Sequence, residues 1–115
     1  MGYTYGDQTV KLESFLISKA KAGQLVTYKE ACVPAGFAGQ PYHPQFWSML
    51  GEISIETQYA DNILLSAIVV NAESGYPGKS FFELAANQCN KVFRDDLEFW
   101  CREVQKVFNH ARAKY

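Results

Sequence analysis

Residues 63–71 read Ile63-Leu64-Leu65-Ser66-Ala67-Ile68-Val69-Val70-Asn71, apolar at nearly every position and rich in branched side chains. A half-exposed strand alternates apolar and polar residues, so this run reads as a strand buried on both faces. Such a strand needs cover from helices, and the flanking sequence supplies them.

Upstream, Phe46, Trp47, Leu50, Ile53 and Thr57 recur at helical spacing, predicting a helix over 44–58 that ends at the Asp61-Asn62 turn. Pro44 suits its first position, because the missing N–H is one that the first turn leaves unpaired. The preceding stretch from Pro34 to Pro44 holds three prolines and two glycines and reads as a loop. Before it, Thr27-Tyr28-Lys29-Glu30 matches a capping box and starts a short helix over 28–33, which Pro34 stops. Leu25-Val26 is a short extended piece. A first helix over 8–22 carries Leu12, Phe15, Leu16 and Ala20 on one face, with Asp7 as its N-cap and Gly23 as the residue that ends it.

Downstream, Pro77-Gly78 fits the central positions of a type II turn. Ser80-Phe81-Phe82-Glu83 is a second capping-box match, predicting a helix over 81–89, with a brief strand pairing at Phe81-Phe82 as the alternative. Leu97, Trp100, Cys101, Val104, Val107, Phe108 and Ala111 follow a three-four spacing, which predicts a long helix over 95–112. Asp95 and Asp96 suit the positive end of its dipole, and Arg112 and Lys114 the negative end.

These elements make a single α+β domain over 1–115, mostly helical, with a small sheet and a long C-terminal helix. A chain of 115 residues, 48% hydrophobic and 15% aromatic, has enough apolar surface for one core. Eleven Lys and Arg against twelve Asp and Glu give a net charge of −1, so no global positive field draws nucleic acid or anionic lipid. The start, Met1-Gly2-Tyr3-Thr4-Tyr5-Gly6, has no basic-then-apolar signal. No apolar run approaches the ~20 residues that span a bilayer in a helix, so the expectation is a cytoplasmic protein with no membrane partner. Cys32, Cys89 and Cys101 are widely spaced and odd in number, which predicts small buried thiols in a reducing compartment.

The order of helix, short strand, two helices, buried strand, turn, short strand or helix, and long helix is winged-helix-like. Leu25-Val26-Thr27-Tyr28-Lys29-Glu30-Ala31-Cys32 with Ala35-Gly36, and Ile68-Val69-Val70-Asn71 leading to Gly75, resemble the winged-helix domain of the alkyltransferase-like DNA-repair proteins. The resemblance covers residues 25–75 and implies a DNA-binding fold. That family's Pro-Cys-His-Arg or Pro-Trp-His-Arg element has no counterpart in Leu64-Leu65-Ser66-Ala67-Ile68-Val69, and the third helix lacks the arginine that enters the minor groove. Alkyl transfer is therefore not carried over. Residues 65–70, with Tyr76-Pro77-Gly78 and Phe81-Phe82-Glu83-Leu84-Ala85, are also similar to a stretch of small bacterial and phage proteins of no assigned activity, which implies a bacterial or phage origin.

Catalysis needs titratable groups that converge, and only two histidines are present. His43 sits in the Pro-rich loop and His110 near the end of the terminal helix, where a cation suits the dipole. No nucleophile elbow, P-loop or zinc-protease spacing occurs. Glu52 and Glu56 share a helix face and read as solvated. The expectation is no catalysis, no cofactor and no metal, with a small enzyme assembled from distant residues as one alternative.

The first alternative, ahead of the enzyme, is winged-helix DNA binding. The helix over 44–58 offers Gln45, Glu52, Glu56 and Gln58, but no Lys or Arg for phosphates or bases. Lys11, Lys19, Lys21 and Lys29 form the candidate basic set, interrupted by Glu13 and Glu30. The leading expectation is a protein-interaction module: an assembly subunit, adaptor or phage-type inhibitor. It would dock onto a protein partner, or onto itself, through Phe37, Tyr42 and His43 of the loop and Tyr76 and Pro77 of the turn. Tyr3 and Tyr5 also lie in polar surroundings. Exposed aromatics on a proline-restrained loop bury large area with little entropy loss.

Overall fold

Helix α1 (Asp7–Lys21) buries Thr9, Leu12, Leu16 and Ala20 along one stripe. The computed structural model describes residues 6–114, so Tyr3 and Tyr5 lie outside the described residues. Gly6, rather than Asp7, holds the N-cap position, and Asp7 acts from the first turn. Gly23 ends the helix as the spacing predicts: at φ 70° it donates to the Ala20 carbonyl, and Gln24 donates to Lys19. A side chain at Gly23 would run into the Arg112 guanidinium of the last helix.

Strand β1 (Val26–Thr27) leads into helix α2 (Tyr28–Ala31) through the predicted capping box. Glu30 donates its N–H to Thr27 Oγ1 at 3.1 Å, and Thr27 donates its own N–H to Glu30 Oε1 at 3.0 Å. The Thr27 N–H first, and its hydroxyl, which donates to Glu30 Oε1 at 3.1 Å, second, hold the Glu30 carboxyl below its ordinary range. Helix α3 (Pro44–Asp61) opens on Pro44 and runs past residue 58, because the left-handed residue that stops it is Asn62, at φ 57°.

Residues 63–70 are all buried, as expected, yet they are not one strand. Leu65–Ile68 form a 3-10 turn, and only β2 (Val69–Val70) pairs with β1, in parallel, with Val26 opposite Val69 and Thr27 opposite Val70. Side chains do what a sheet partner would have done. Ser54 Oγ accepts the Ser66 N–H at 2.9 Å; Thr57 Oγ1 donates to the Ile63 carbonyl at 2.9 Å and accepts the Leu65 N–H at 3.3 Å. From the last helix, Trp100 Nε1 donates to the Ala67 carbonyl at 2.8 Å.

The chain then reverses over 71–76, not at Pro77-Gly78. Asn71 donates to the Tyr76 carbonyl at 2.8 Å, and Gly75, at φ 74°, donates to the Asn71 carbonyl at 2.9 Å. Gly78 has φ −69° and ψ 163°, which no type II turn allows at its second central position. Gly78 is instead the N-cap of α4 (Lys79–Asn87). Ser80 therefore falls inside the first turn and no side chain caps this helix, so the second capping box does not form. Phe81 is buried within α4 against Phe82 and Phe99 rather than paired in a sheet.

Helix α5 (Asp96–Lys114) lies across α1 and the 3-10 turn, burying Phe99, Trp100, Glu103, Val107 and Ala111. Asp95 Oδ1 accepts the Glu98 N–H at 3.1 Å. Lys114 donates to both Asp61 carboxylate oxygens at 3.1 Å, tying the ends of α5 and α3 together. Leu97 and Cys101 fall off the buried face: Leu97 is 50% exposed and Cys101 is also exposed. Cys89 is partly buried, so only Cys32, which donates its thiol to the Lys29 carbonyl, is the fully buried thiol expected of all three. The result is an α+β domain with a Cα radius of gyration of 12.8 Å.

Candidate interaction cleft

Tyr28 opens α2, and the capping box turns its ring inward, where it stacks on Trp47 of α3 at 5.0 Å between centroids and 9° between planes. Trp47 in turn donates its indole N–H to the Pro41 carbonyl at 2.8 Å, fixing the Pro-rich loop to α3. On the other side, Tyr28 Oη accepts the Gly78 N–H at 2.8 Å. A Cβ at residue 78 would approach Trp47 to 3.1 Å and Tyr28 Oη to 3.3 Å, so glycine lets the backbone pass this close. Tyr28 and Trp47 thus join the loop of residues 34–44 to the turn of residues 71–78.

Between the two segments lies a cleft of about 240 Å3, lined by Tyr28, Lys29, Pro41, Tyr42 and the turn residues 71–74. Its walls are held internally. Asn71 Nδ2 donates to the Tyr76 carbonyl at 3.2 Å, and Tyr76 donates its N–H to Ser74 Oγ at 3.2 Å. Lys29 and Glu73 are both exposed and bring opposite charges to the rim. Burial pushes the Tyr28 phenol above its ordinary range, against the Gly78 hydrogen bond, so the floor of the cleft stays neutral at physiological pH.

Of the residues singled out from sequence, Tyr42 is 71% exposed and Tyr76 49% exposed. Tyr42 reaches the Trp47 ring at 6.4 Å, and Tyr76 packs edge-on against Trp100 at 5.5 Å. Phe37 and His43 are partly buried and stack on each other at 4.5 Å. His43 Nδ1 accepts the Gln45 N–H at 3.1 Å, which caps α3. Pro77 is buried, so it shapes the turn and presents no surface to a partner. The cleft adds Asn71, Ala72, Glu73 and Ser74, residues whose types carry no signal until the fold sets them opposite Tyr42.

The four lysines are spread over α1 and α2. Lys11, Lys21 and Lys29 are exposed, while Lys19 lies 5.6 Å over the Phe15 ring and within electrostatic reach of Glu30. A second cavity, of about 320 Å3, lies between α3 and α4 and is lined by Trp47, Leu50, Phe81, Leu84, Ser48, Ser66 and Ser80, with Tyr28 shared between the two. An apolar groove of about 290 Å3 runs between Tyr76, Phe82, Leu97 and Trp100, with Asp96 at its edge. Neither histidine lines any of the three.

Among the described residues, no three His, Cys, Asp or Glu gather as metal ligands, and no helix is long and apolar enough to cross a membrane. Compared with known proteins, the chain matches no family model, no curated protein and no solved structure.

Proposed function

We propose that the protein is a non-enzymatic interaction module, an assembly subunit, adaptor or inhibitor of the cytoplasm, that docks onto a protein surface through Tyr42 and Tyr76. The observation that carries this reading is the setting of Tyr42: the side chain is 71% exposed, while the backbone beside it is fixed by the Trp47-to-Pro41 hydrogen bond. A large exposed aromatic on a pre-ordered loop loses little entropy on docking, the property that makes tyrosine a frequent interface anchor. The Tyr42 ring itself lies 6.4 Å from the Trp47 ring.

The absence of a basic residue from α3 weighs against a DNA-reading helix, since Glu52 and Glu56 would face phosphates of the same sign. The experiment is a comparison of captured partners between the native chain and the double variant Tyr42→Ala, Tyr76→Ala, with circular dichroism to establish that both are folded. A partner held by the native chain and lost by the folded double variant supports the reading. Equal capture by both rejects it.

A further inference from the structure

We infer that the 240 Å3 cleft between the Pro-rich loop and the 71–78 turn binds a peptide segment that carries both a carboxylate and a cationic group, the carboxylate at Lys29 and Tyr28 and the cation at Glu73. The inference rests on the docking reading above and names the chemistry of the partner. Its first support is charge. Lys29 and Glu73 line one cleft with opposite signs, and neither has an ion-pair partner among the described residues. A ligand of one sign meets attraction at one and repulsion at the other, which disfavours nucleic acid and anionic lipid and favours a segment bearing both signs.

The second support is an unspent donor. Tyr28 is 5% exposed, and its hydroxyl accepts from Gly78, yet it donates its own proton to none of the described residues. Burial keeps that proton on the oxygen. A carboxylate beside Lys29 would take it as a second hydrogen bond. The third support is size and rigidity. About 240 Å3 suits a short stretch of chain, with its charged ends at the exposed Lys29 and Glu73, rather than a folded surface, and the Tyr28–Trp47 stack, the Trp47-to-Pro41 bond and the Asn71-to-Tyr76 bond keep the walls in place beforehand.

The probe is a blocked pentapeptide in which Glu and Lys flank one Gly, titrated into the isotope-labelled full chain at low salt and followed by amide shifts. Shifts concentrated at Lys29, Tyr42, Asn71, Glu73 and Ser74 are expected. Lys29→Glu and Glu73→Lys should each weaken binding about three- to tenfold, since an exposed pair is exchanged for repulsion. The double variant should regain it for the peptide with Glu and Lys exchanged. Both substitutions are at exposed positions, so folding should be preserved, which circular dichroism checks. Equal binding of a peptide with Gln in place of Glu, shifts clustered elsewhere, or no saturable binding overturns the inference. Loss of a captured partner in the Tyr42→Ala, Tyr76→Ala variant, with no effect of Lys29→Glu or Glu73→Lys, keeps the docking surface and rejects this cleft as its specificity site.

Discussion

Trp100 donates its indole N–H to the Ala67 carbonyl at 2.8 Å, so the terminal helix and the buried 3-10 turn share a hydrogen bond inside the core. Trp100→Phe keeps most of the apolar surface but strands a buried carbonyl, which costs about 1–3 kcal/mol beyond the lost ring volume. Urea unfolding of the two proteins measures the difference. A loss below a few tenths of a kcal/mol would mean that water or another donor replaces the indole.

Ser54 gives a sharper comparison on the same segment. Its hydroxyl accepts the buried Ser66 N–H and donates to the Ser66 hydroxyl, so Ser54→Ala leaves a backbone donor without a partner. The expected cost is about 1–3 kcal/mol. Ser66→Ala removes only the hydroxyl that receives the proton and should cost less. The reverse ranking in denaturant titrations would contradict this account of why the segment is not a strand.

That segment also shows how far the sequence could be read. The apolar run over 63–70 announces burial correctly, because burial follows from side-chain type. It does not announce the 3-10 turn, because that depends on hydroxyls at Ser54 and Thr57 and an indole at Trp100, all distant in sequence. Local signals succeed where the partners are local: Thr27 with Glu30, Gly23 at the end of α1, Pro44 at the start of α3. They fail at Ser80 and Glu83, where a start two residues earlier, at Lys79 rather than Phe81, removes the geometry that a capping box needs. In the cleft, Tyr42 stands out by its loop and its type. Lys29 and Glu73 do not, since the parallel pairing of β1 with β2 and the Gly78-to-Tyr28 hydrogen bond, both between residues distant in sequence, bring α2 beside the turn.

Tyr28 should make stability fall at alkaline pH. Its phenol is neutral when protonated and its folded pKa is raised, chiefly by burial, so the folded state holds the proton more tightly than the unfolded chain. The stabilisation is complete below the unfolded value near 10 and is lost as pH rises through the folded one. Tyr28→Phe should flatten that alkaline decline while lowering stability at neutral pH, because the Gly78 N–H loses its acceptor. Unfolding curves from pH 8 to 11 would test both, and an unchanged alkaline slope in the variant would reject the assignment.

DNA affinity should be low. With no Lys or Arg on α3 and Lys11, Lys19, Lys21 and Lys29 divided between α1 and α2, few phosphates can be neutralised together. Fluorescence anisotropy with a labelled duplex near physiological salt is expected to show no saturable binding below the micromolar range typical of non-specific contacts. Nanomolar binding that falls steeply with salt and is lost when these four lysines are changed to Ala would establish the opposite.

The thiols should react in three separate steps. Cys101 is exposed on α5 and should be modified at once by an aromatic disulfide reagent in the native protein. Cys89 is partly buried, and burial pushes its thiol above the ordinary range, outweighing the attraction of Lys91, so less thiolate is present at neutral pH and attack is slower. Cys32 is fully buried and donates its thiol to the Lys29 carbonyl at 3.1 Å, so it should react only when the fold opens. Its rate then reports opening of α2, the element that carries both Tyr28 and Lys29. Time-resolved thiol counting, with mass spectrometry to assign each site, separates the three. Modification of Cys32 as fast as Cys101 would show that α2 opens readily, and with it the wall of the cleft.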